Sequence, residues 1–328
     1  MNGISVGILG TGKYVPERRL TNQELERMVE TNDEWIVTRT GIRERRIAAP
    51  EQATSDLAYE ASLRALEAAG TTADQLDLIV VATITPDMFF PSTACVLQEK
   101  LGAKNAAAFD LSAACSGFIY GLASASGFIK TGMYKRVLVV GAECLSRITD
   151  YEDRNTCILF GDGAGAVVLG EVPEGRGFQS FKLGADGAGG ELLRIRGGGS
   201  RSPSSQETIG NRHHYIEMNG RDVFKFAVRV MGSAAEEALA AAGRSKADID
   251  LLVPHQANIR IIQSALERLE LSEDKAMINL DRYGNASAAS IPLALAEAVE
   301  EGRVKEGDCL VLVGFGGGLT WGASVLIW

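Results

Sequence analysis

The sequence predicts an α/β protein built from two similar halves, on three observations. Ala65-Leu66-Glu67-Ala68-Ala69-Gly70 is echoed by Ala238-Leu239-Ala240-Ala241-Ala242-Gly243, and without a gap Leu76-Asp77-Leu78-Ile79-Val80 then matches Ile249-Asp250-Leu251-Leu252-Val253. The same offset of 173 residues aligns Val137-Leu138-Val139-Val140-Gly141 with Leu310-Val311-Leu312-Val313-Gly314. Each matched unit reads as a helix ended by Gly, a short loop and a buried strand. Ala-rich helices and Val-rich strands could produce one such match by composition alone, but two at one offset point to a repeat. Third, the short continuous apolar runs over 76–84, 136–141, 248–253 and 309–314 suit strands covered by helices on both faces. The halves are expected to meet near residue 172, as 1–172 and 173–328.

In chain order, Thr21-Asn22-Gln23-Glu24 is a capping-box start for a helix running to about Glu30. Residues 55–69 read as a helix with Leu57, Ala61, Ala65 and Leu66 on one side. Further helices are expected around 115–132, 221–242, 258–269 and 290–301. The stretch 197–214, rich in Gly, Ser and Pro, reads as a long surface loop, with His213 and His214 solvated in it.

A net charge of −9 argues against a general nucleic-acid binder, which needs a basic face, while leaving room for a local basic patch. The five cysteines are odd in number and scattered, with no CxxC pair. Neither a disulfide framework nor a zinc site is favoured, and reduced thiols in a cytoplasmic enzyme fit better. Met1-Asn2-Gly3-Ile4-Ser5-Val6 carries no basic region followed by a long apolar run, and no stretch reaches the length of a membrane span, so neither a signal peptide nor membrane insertion is expected.

Two nucleotide motifs fail. Gly7-Ile8-Leu9-Gly10-Thr11-Gly12-Lys13-Tyr14 nearly spells a phosphate-binding loop, but Tyr14 replaces the Mg²⁺-binding hydroxyl residue and Pro16 interrupts the following helix. A dinucleotide fingerprint fails at Val15, where the third Gly should stand.

Four other segments carry chemistry. In Leu111-Ser112-Ala113-Ala114-Cys115-Ser116-Gly117-Phe118, small residues precede Cys115 and an apolar helical pattern follows it. That places the thiol at a helix N-terminus, where unpaired N–H groups favour thiolate; a buried, inert Cys at a tight turn fits the segment equally well. His255, in Val253-Pro254-His255-Gln256-Ala257-Asn258, follows a buried strand, at the edge where α/β proteins place ligands. Neutral imidazole there could donate a hydrogen bond or move a proton. Asn285, in Tyr283-Gly284-Asn285-Ala286-Ser287, could offer an amide donor or cap the next helix. Gly314-Phe315-Gly316-Gly317-Gly318 follows a strand, and its glycines let backbone N–H groups approach a ligand as an oxyanion hole requires.

With these segments the chain resembles the β-ketoacyl-[acyl carrier protein] synthase III family of condensing enzymes. The resemblance runs nearly end to end and includes Asp33-Glu34-Trp35-Ile36-Val37-Thr38-Arg39-Thr40-Gly41-Ile42-Arg43, Phe160-Gly161-Asp162-Gly163-Ala164-Gly165 and Gly316-Gly317-Gly318-Leu319-Thr320-Trp321-Gly322. It implies a thiolase fold, a duplicated α/β unit forming a five-layered αβαβα core, usually a homodimer, with both halves in one catalytic unit. It also implies acylation of Cys115 by acyl-CoA, then decarboxylative condensation with malonyl-acyl carrier protein, initiating fatty-acid synthesis without a metal or redox cofactor.

Residue by residue, the resemblance implies an oxyanion hole from the N–H groups of Cys115 and Gly317, and enolate stabilisation by His255 and Asn285. It puts Trp35 and Arg154 around the CoA adenine, and Arg39 and Thr31 near its phosphate and pantetheine portions. Gly220, Phe224 and Asn258 would line the pantetheine tunnel. Arg260, with Lys225 and Arg221, would receive the carrier protein. Phe90 would reach across the dimer, and Leu319 would shape the acyl pocket. The extended 197–214 loop and the Met88-Phe89-Phe90 run leave primer choice open. A related synthase using another starter in secondary metabolism and a non-catalytic partner subunit are the rivals. A thiolase would need a second Cys near Gly316-Gly317-Gly318, and Cys309 lies inside the preceding strand.

Overall fold

A computed structural model describes residues 3–328; Met1 and Asn2, which open the stretch tested above for a signal peptide, lie outside the described residues. The first half starts with β1 (Val6–Tyr14), β2 (Arg18–Thr21), α1 (Asn22–Leu25), α2 (Asp33–Thr40) and β3 (Glu44–Ile47). It continues through α3 (Thr54–Ala68), β4 (Leu78–Ala82), α4 (Thr93–Leu101), β5 (Ala107–Leu111), α5 (Gly117–Lys130), β6 (Val137–Glu143) and β7 (Gly163–Glu171). The second half holds β8 (Gly177–Ala185), β9 (Leu193–Ile195), α6 (Gln206–Gly210), β10 (Ile216–Met218), α7 (Gly220–Ala241) and β11 (Leu251–Pro254). It ends with α8 (Ile259–Leu269), α9 (Leu280–Tyr283), α10 (Ser290–Glu300), β12 (Cys309–Gly316) and β13 (Thr320–Ile327).

Two mixed sheets form, ordered β1-β7-β6-β4-β5 and β11-β12-β13-β8. The offset of 173 survives in the strand register: β4 runs parallel to β6 with Leu78 opposite Val137, and β11 runs parallel to β12 with Leu251 opposite Leu310. Helices α3 and α4 cover one outer face and α7 and α8 the other, while α5 and α10 lie between the sheets and touch both. Along β12 the side chains alternate between layers, Leu310 and Leu312 in the central core, Val311 and Val313 in the outer one. A strand buried on both faces has no polar side, which is why these strands read as unbroken apolar runs. The layers are αβαβα.

Two expectations fail locally. The capping box forms, with the Glu24 N–H donating to Thr21 Oγ1 (3.3 Å) and the Thr21 N–H to Glu24 Oε2 (3.1 Å), yet α1 stops at Leu25 rather than near Glu30. Glu26, Arg27, Met28 and Glu30 are exposed, so no packed face sustains further turns. The 197–214 stretch is not all loop: it contains α6, capped by Ser205. Its histidines are half-buried and partnered, His214 Nε2 lying 3.0 Å from the Thr208 hydroxyl and His213 Nε2 3.3 Å from Arg196.

Candidate active site

Cys115 sits where the chain leaves β5 and enters α5, in a one-turn 3₁₀ segment (Ala114–Ser116) whose Ala114 is left-handed at φ 46°. The Ser116 and Thr320 hydroxyls, 2.8 Å apart, gather on the Ala113 carbonyl at 2.8 and 3.0 Å and fix this turn to β13. The end of β12 presses on it as well: a Cβ at Gly316 would lie 2.5 Å from the Cys115 nitrogen. The thiol is buried, and burial pushes its pKa up to about 12. Of the two readings that the sequence leaves open for this thiol, its burial favours the protonated form, because loss of water around the sulfur outweighs nearby N–H groups.

His255 follows β11 and extends its ladder, donating its N–H to the Val313 carbonyl (2.8 Å). Its Nδ1 lies 2.6 Å from Ser290 Oγ at the start of α10, and its ring packs edge-on to Phe315 with centroids 5.4 Å apart. Burial alone pushes its pKa down to about 3, so the imidazole is neutral. Asn285 is held by its backbone, N–H to the Leu159 carbonyl (2.8 Å) and carbonyl to the Gly161 N–H (3.1 Å). Its Oδ1 accepts from the Ser287 N–H (2.9 Å), which commits the oxygen and leaves the amide nitrogen to donate elsewhere. Cys115, His255 and Asn285 share one narrow cavity of about 90 Å³ with Phe315 and Gly316.

On one side this cavity adjoins an apolar chamber of about 430 Å³ lined by Cys115, Ile84, Leu145, Phe160, Ile216 and Gly317. The four apolar residues come from distant segments with no shared local pattern, and the sequence reading missed them. Leu319, expected here, is buried instead against Gly189 and faces a separate cleft with Asp222 and Arg229, so it does not border the Cys115 chamber. Phe90 is also outside it, 84% exposed, beside Phe89 at 83%.

On the other side Gly220, Phe224 and Asn258 line both the narrow cavity and a cleft of about 740 Å³ that carries Trp35, Arg39, Arg221, Lys225 and Arg260. Arg39 and Arg154 each stand 4.9 Å from the Trp35 ring centroid. Trp35 and Arg154 are thus already in contact, and a purine enters between them only by displacing the guanidinium. Both ends of the Asn258 amide are engaged, Nδ2 on the Arg39 carbonyl (2.8 Å) and Oδ1 on the Arg260 N–H (2.9 Å). Thr31 is not among the lining residues, and its enclosed hydroxyl has no partner among the described residues. Lys225 pairs with Asp222 (3.1 Å), and the Arg260 guanidinium lies 5.1 Å from the Phe224 ring centroid.

The profile of "3-Oxoacyl-[acyl-carrier-protein (ACP)] synthase III" matches residues 109–187, and that of its C-terminal region matches 239–328. The chain is 60% identical over 325 residues to "Beta-ketoacyl-[acyl-carrier-protein] synthase III" of Desulfitobacterium hafniense, covering 99% of this chain and 98% of that protein. It is 61% identical, with the same coverage, to the protein so named in Caldanaerobacter subterraneus. Among solved structures, the synthase III of Thermus thermophilus superposes with a TM-score of 0.91 at 51% identity, covering 98% of this chain and 99% of the other. That of Aquifex aeolicus does so with a TM-score of 0.91 at 48% identity, covering 98% and 100%. Sequence, fold and the meeting of Cys115, His255 and Asn285 agree: the chain belongs to the β-ketoacyl-[acyl-carrier-protein] synthase III family.

Proposed function

We propose that this chain passes an acyl group from acyl-CoA to Cys115, then condenses it with malonyl-acyl carrier protein, releasing CO₂ and a β-ketoacyl-acyl carrier protein that starts fatty-acid synthesis. The observation that carries this is the position of Cys115, His255 and Asn285, drawn from both halves into one cavity between an apolar chamber and a cationic cleft. In the first stage the sulfur of Cys115 attacks the thioester carbon. The N–H groups of Cys115 and Gly317 stabilise the oxyanion, and CoA leaves. In the second, loss of CO₂ places negative charge on the malonyl thioester oxygen. His255, neutral through burial, and Asn285, with its oxygen already committed, are two donors that can hold that charge without being consumed by it. The carbanion attacks the acyl-Cys and frees the sulfur. Thioester chemistry and CO₂ loss drive both stages, and no step calls for a metal or redox cofactor.

The cleft supports the binding roles. Trp35, Arg39 and Arg154 offer an aromatic face and two cations to the CoA nucleotide, while Gly220, Phe224 and Asn258 flank the passage to Cys115. Arg221, Lys225 and Arg260 are the charges suited to an acidic carrier protein. Exposed Met88, Phe89 and Phe90 form an apolar patch suited to a second copy in a homodimer, through which Phe90 would approach the partner's chamber. The unpaired thiols fit a reducing cytoplasm. We read 1–172 and 173–328 as halves of one catalytic unit, on the shared cavity.

Intact mass spectrometry after exposure to a panel of acyl-CoAs, followed by malonyl-acyl carrier protein, tests the function. An acyl adduct on Cys115 that discharges as a β-keto product with CO₂ release is the expected result. An adduct on another cysteine, or one that malonyl-acyl carrier protein leaves in place, overturns it.

A further inference from the structure

The first stage must remove a proton from a thiol whose burial makes it a poor acid, and His255 is not equipped to take it, since burial also disfavours its charged form. A second buried acid lies close by. Glu143 ends β6 with no exposed surface. Its Oε2 accepts from the N–H of Thr85 (3.1 Å) and of Ile84 (3.2 Å), and from the hydroxyls of Thr83 (3.1 Å) and Thr85 (2.5 Å). Among the described residues its Oε1 has only the Ile84 N–H, at 3.3 Å. The turn that carries Ser287 packs against both β6, which ends in Glu143, and the Cys115 turn, yet the Ser287 hydroxyl closes a well-formed hydrogen bond to neither side chain and is, among the described residues, a buried polar atom without a partner. Ser287 also lines the apolar chamber beside Cys115. An unpartnered hydroxyl is costly to bury, and here it stands between the nucleophile and a carboxylate with one open oxygen.

We infer that Ser287 and Glu143 form a proton relay for Cys115, with Ser287 touching the reacting sulfur and Glu143 acting through it. As the sulfur bonds to the acyl carbon, its proton passes to Ser287 Oγ, and the Ser287 proton passes to Glu143. The thioester carbon–sulfur bond breaks, and CoA departs as thiolate and takes a proton from water. Glu143 holds its proton while the acyl group is on Cys115. It returns the proton through Ser287 when condensation frees the Cys115 thiolate. Burial pushes the Glu143 pKa up to about 7, which suits a group that must both take and return a proton near neutrality. The relay rests on the condensing-enzyme reading but is testable without it.

Alkylation of Cys115 by iodoacetamide, followed by peptide mass spectrometry with exposed Cys95 as the internal control, needs no acyl-CoA. Two roles for Glu143 predict opposite signs. As proton acceptor, its replacement in E143Q slows Cys115 alkylation at neutral pH, by roughly 100-fold where general-base transfer is lost. As a mere buried negative charge beside the thiol, its removal favours thiolate and speeds alkylation. S287A deletes a hydroxyl that satisfies nothing, so it is expected to fold, to slow alkylation to a similar extent, and to add nothing on top of E143Q. The ionisable groups facing Glu143 are the thiols of Cys115 and Cys144. The pH–rate profile of the wild type should therefore carry a limb near 7 that E143Q lacks. An E143Q rate unchanged or faster, an S287A rate unchanged, or a limb near 7 that persists in E143Q overturns the relay.

Discussion

Asn285 and His255 reach neutrality by different routes, and the difference sets what each mutation should do. Asn285 carries no charge at any pH, and its Oδ1 is pinned by the Ser287 N–H, so its amide nitrogen is left free to donate. Asn285→Ala should keep acyl loading on Cys115 and slow decarboxylation by about 100- to 1000-fold, the loss of roughly 2.7–4 kcal/mol typical of one oxyanion donor. Separate rates of CoA release and CO₂ release check this, and equal loss in both contradicts the division of labour. His255 is neutral because it is dry. Its folded pKa, pushed down to about 3, lies below the unfolded value of about 6.5, so the unfolded chain binds the extra proton first. Its contribution to stability is therefore complete above about pH 6.5 and is lost as pH falls toward the folded value, at up to about 1.4 kcal/mol per pH unit. Between about pH 6.5 and pH 5 the wild type should lose about 1–2 kcal/mol relative to His255→Gln, read from urea midpoints at each pH.

The elements that hold these side chains are close-packed at their ends, and that is where small residues become obligatory. Gly316 closes β12 against the Cys115 turn, and an added methyl would lie 2.5 Å from a backbone nitrogen that cannot swing aside. Gly316→Ala should cost about 1–3 kcal/mol by urea unfolding and depress Cys115 loading, because relief of the clash must shift either the strand or the nucleophile. Gly317→Ala meets nothing closer than the Leu193 carbonyl at 3.1 Å, so it should unfold nearer the wild type. Loss of stability in both to the same extent would mean that the glycine run is needed for strand geometry rather than for that one approach. The run of glycines and the small residues around Cys115 were legible in the sequence because close approach restricts residue type locally. The apolar chamber was not. Ile84, Leu145, Phe160 and Ile216 are ordinary apolar residues in four separate segments, made into a site only by the fold. Leu319, adjacent in sequence to the glycine run, turns away from the Cys115 chamber, and Ser287, whose turn packs beside the Cys115 turn, lies 172 residues downstream of Cys115.

Across the molecule the repeat goes deeper than the matched apolar strings. The offset of 173 that relates the parallel strand pairs also carries Ala114 onto Ser287, both left-handed at φ 46°, and Gly117, the first residue of α5, onto Ser290, the first of α10. The Cys115 turn and the Ser287 turn are thus counterparts, and side by side at the central layer they form the site. The central core mixes the halves: Phe118, Ile119 and Leu122 from the first pack in one cluster with Val253, Ile291, Leu295, Leu310, Leu312 and Leu326 from the second. Exposing the latter six alone would cost on the order of 10 kcal/mol, at about 1.5–3 kcal/mol each, which rivals the entire stability of an ordinary domain. Neither half should survive without the other, and the chain should unfold in one step. Tryptophans are placed to test this, Trp35 in the first half and Trp321 and Trp328 in the second. Variants retaining only Trp35 or only Trp321 should show coincident urea transitions, coincident also with far-ultraviolet circular dichroism. Separated midpoints, or a cooperative transition in the isolated 173–328 fragment, would show instead that the halves are independent domains and that the shared central layer is a dispensable interface.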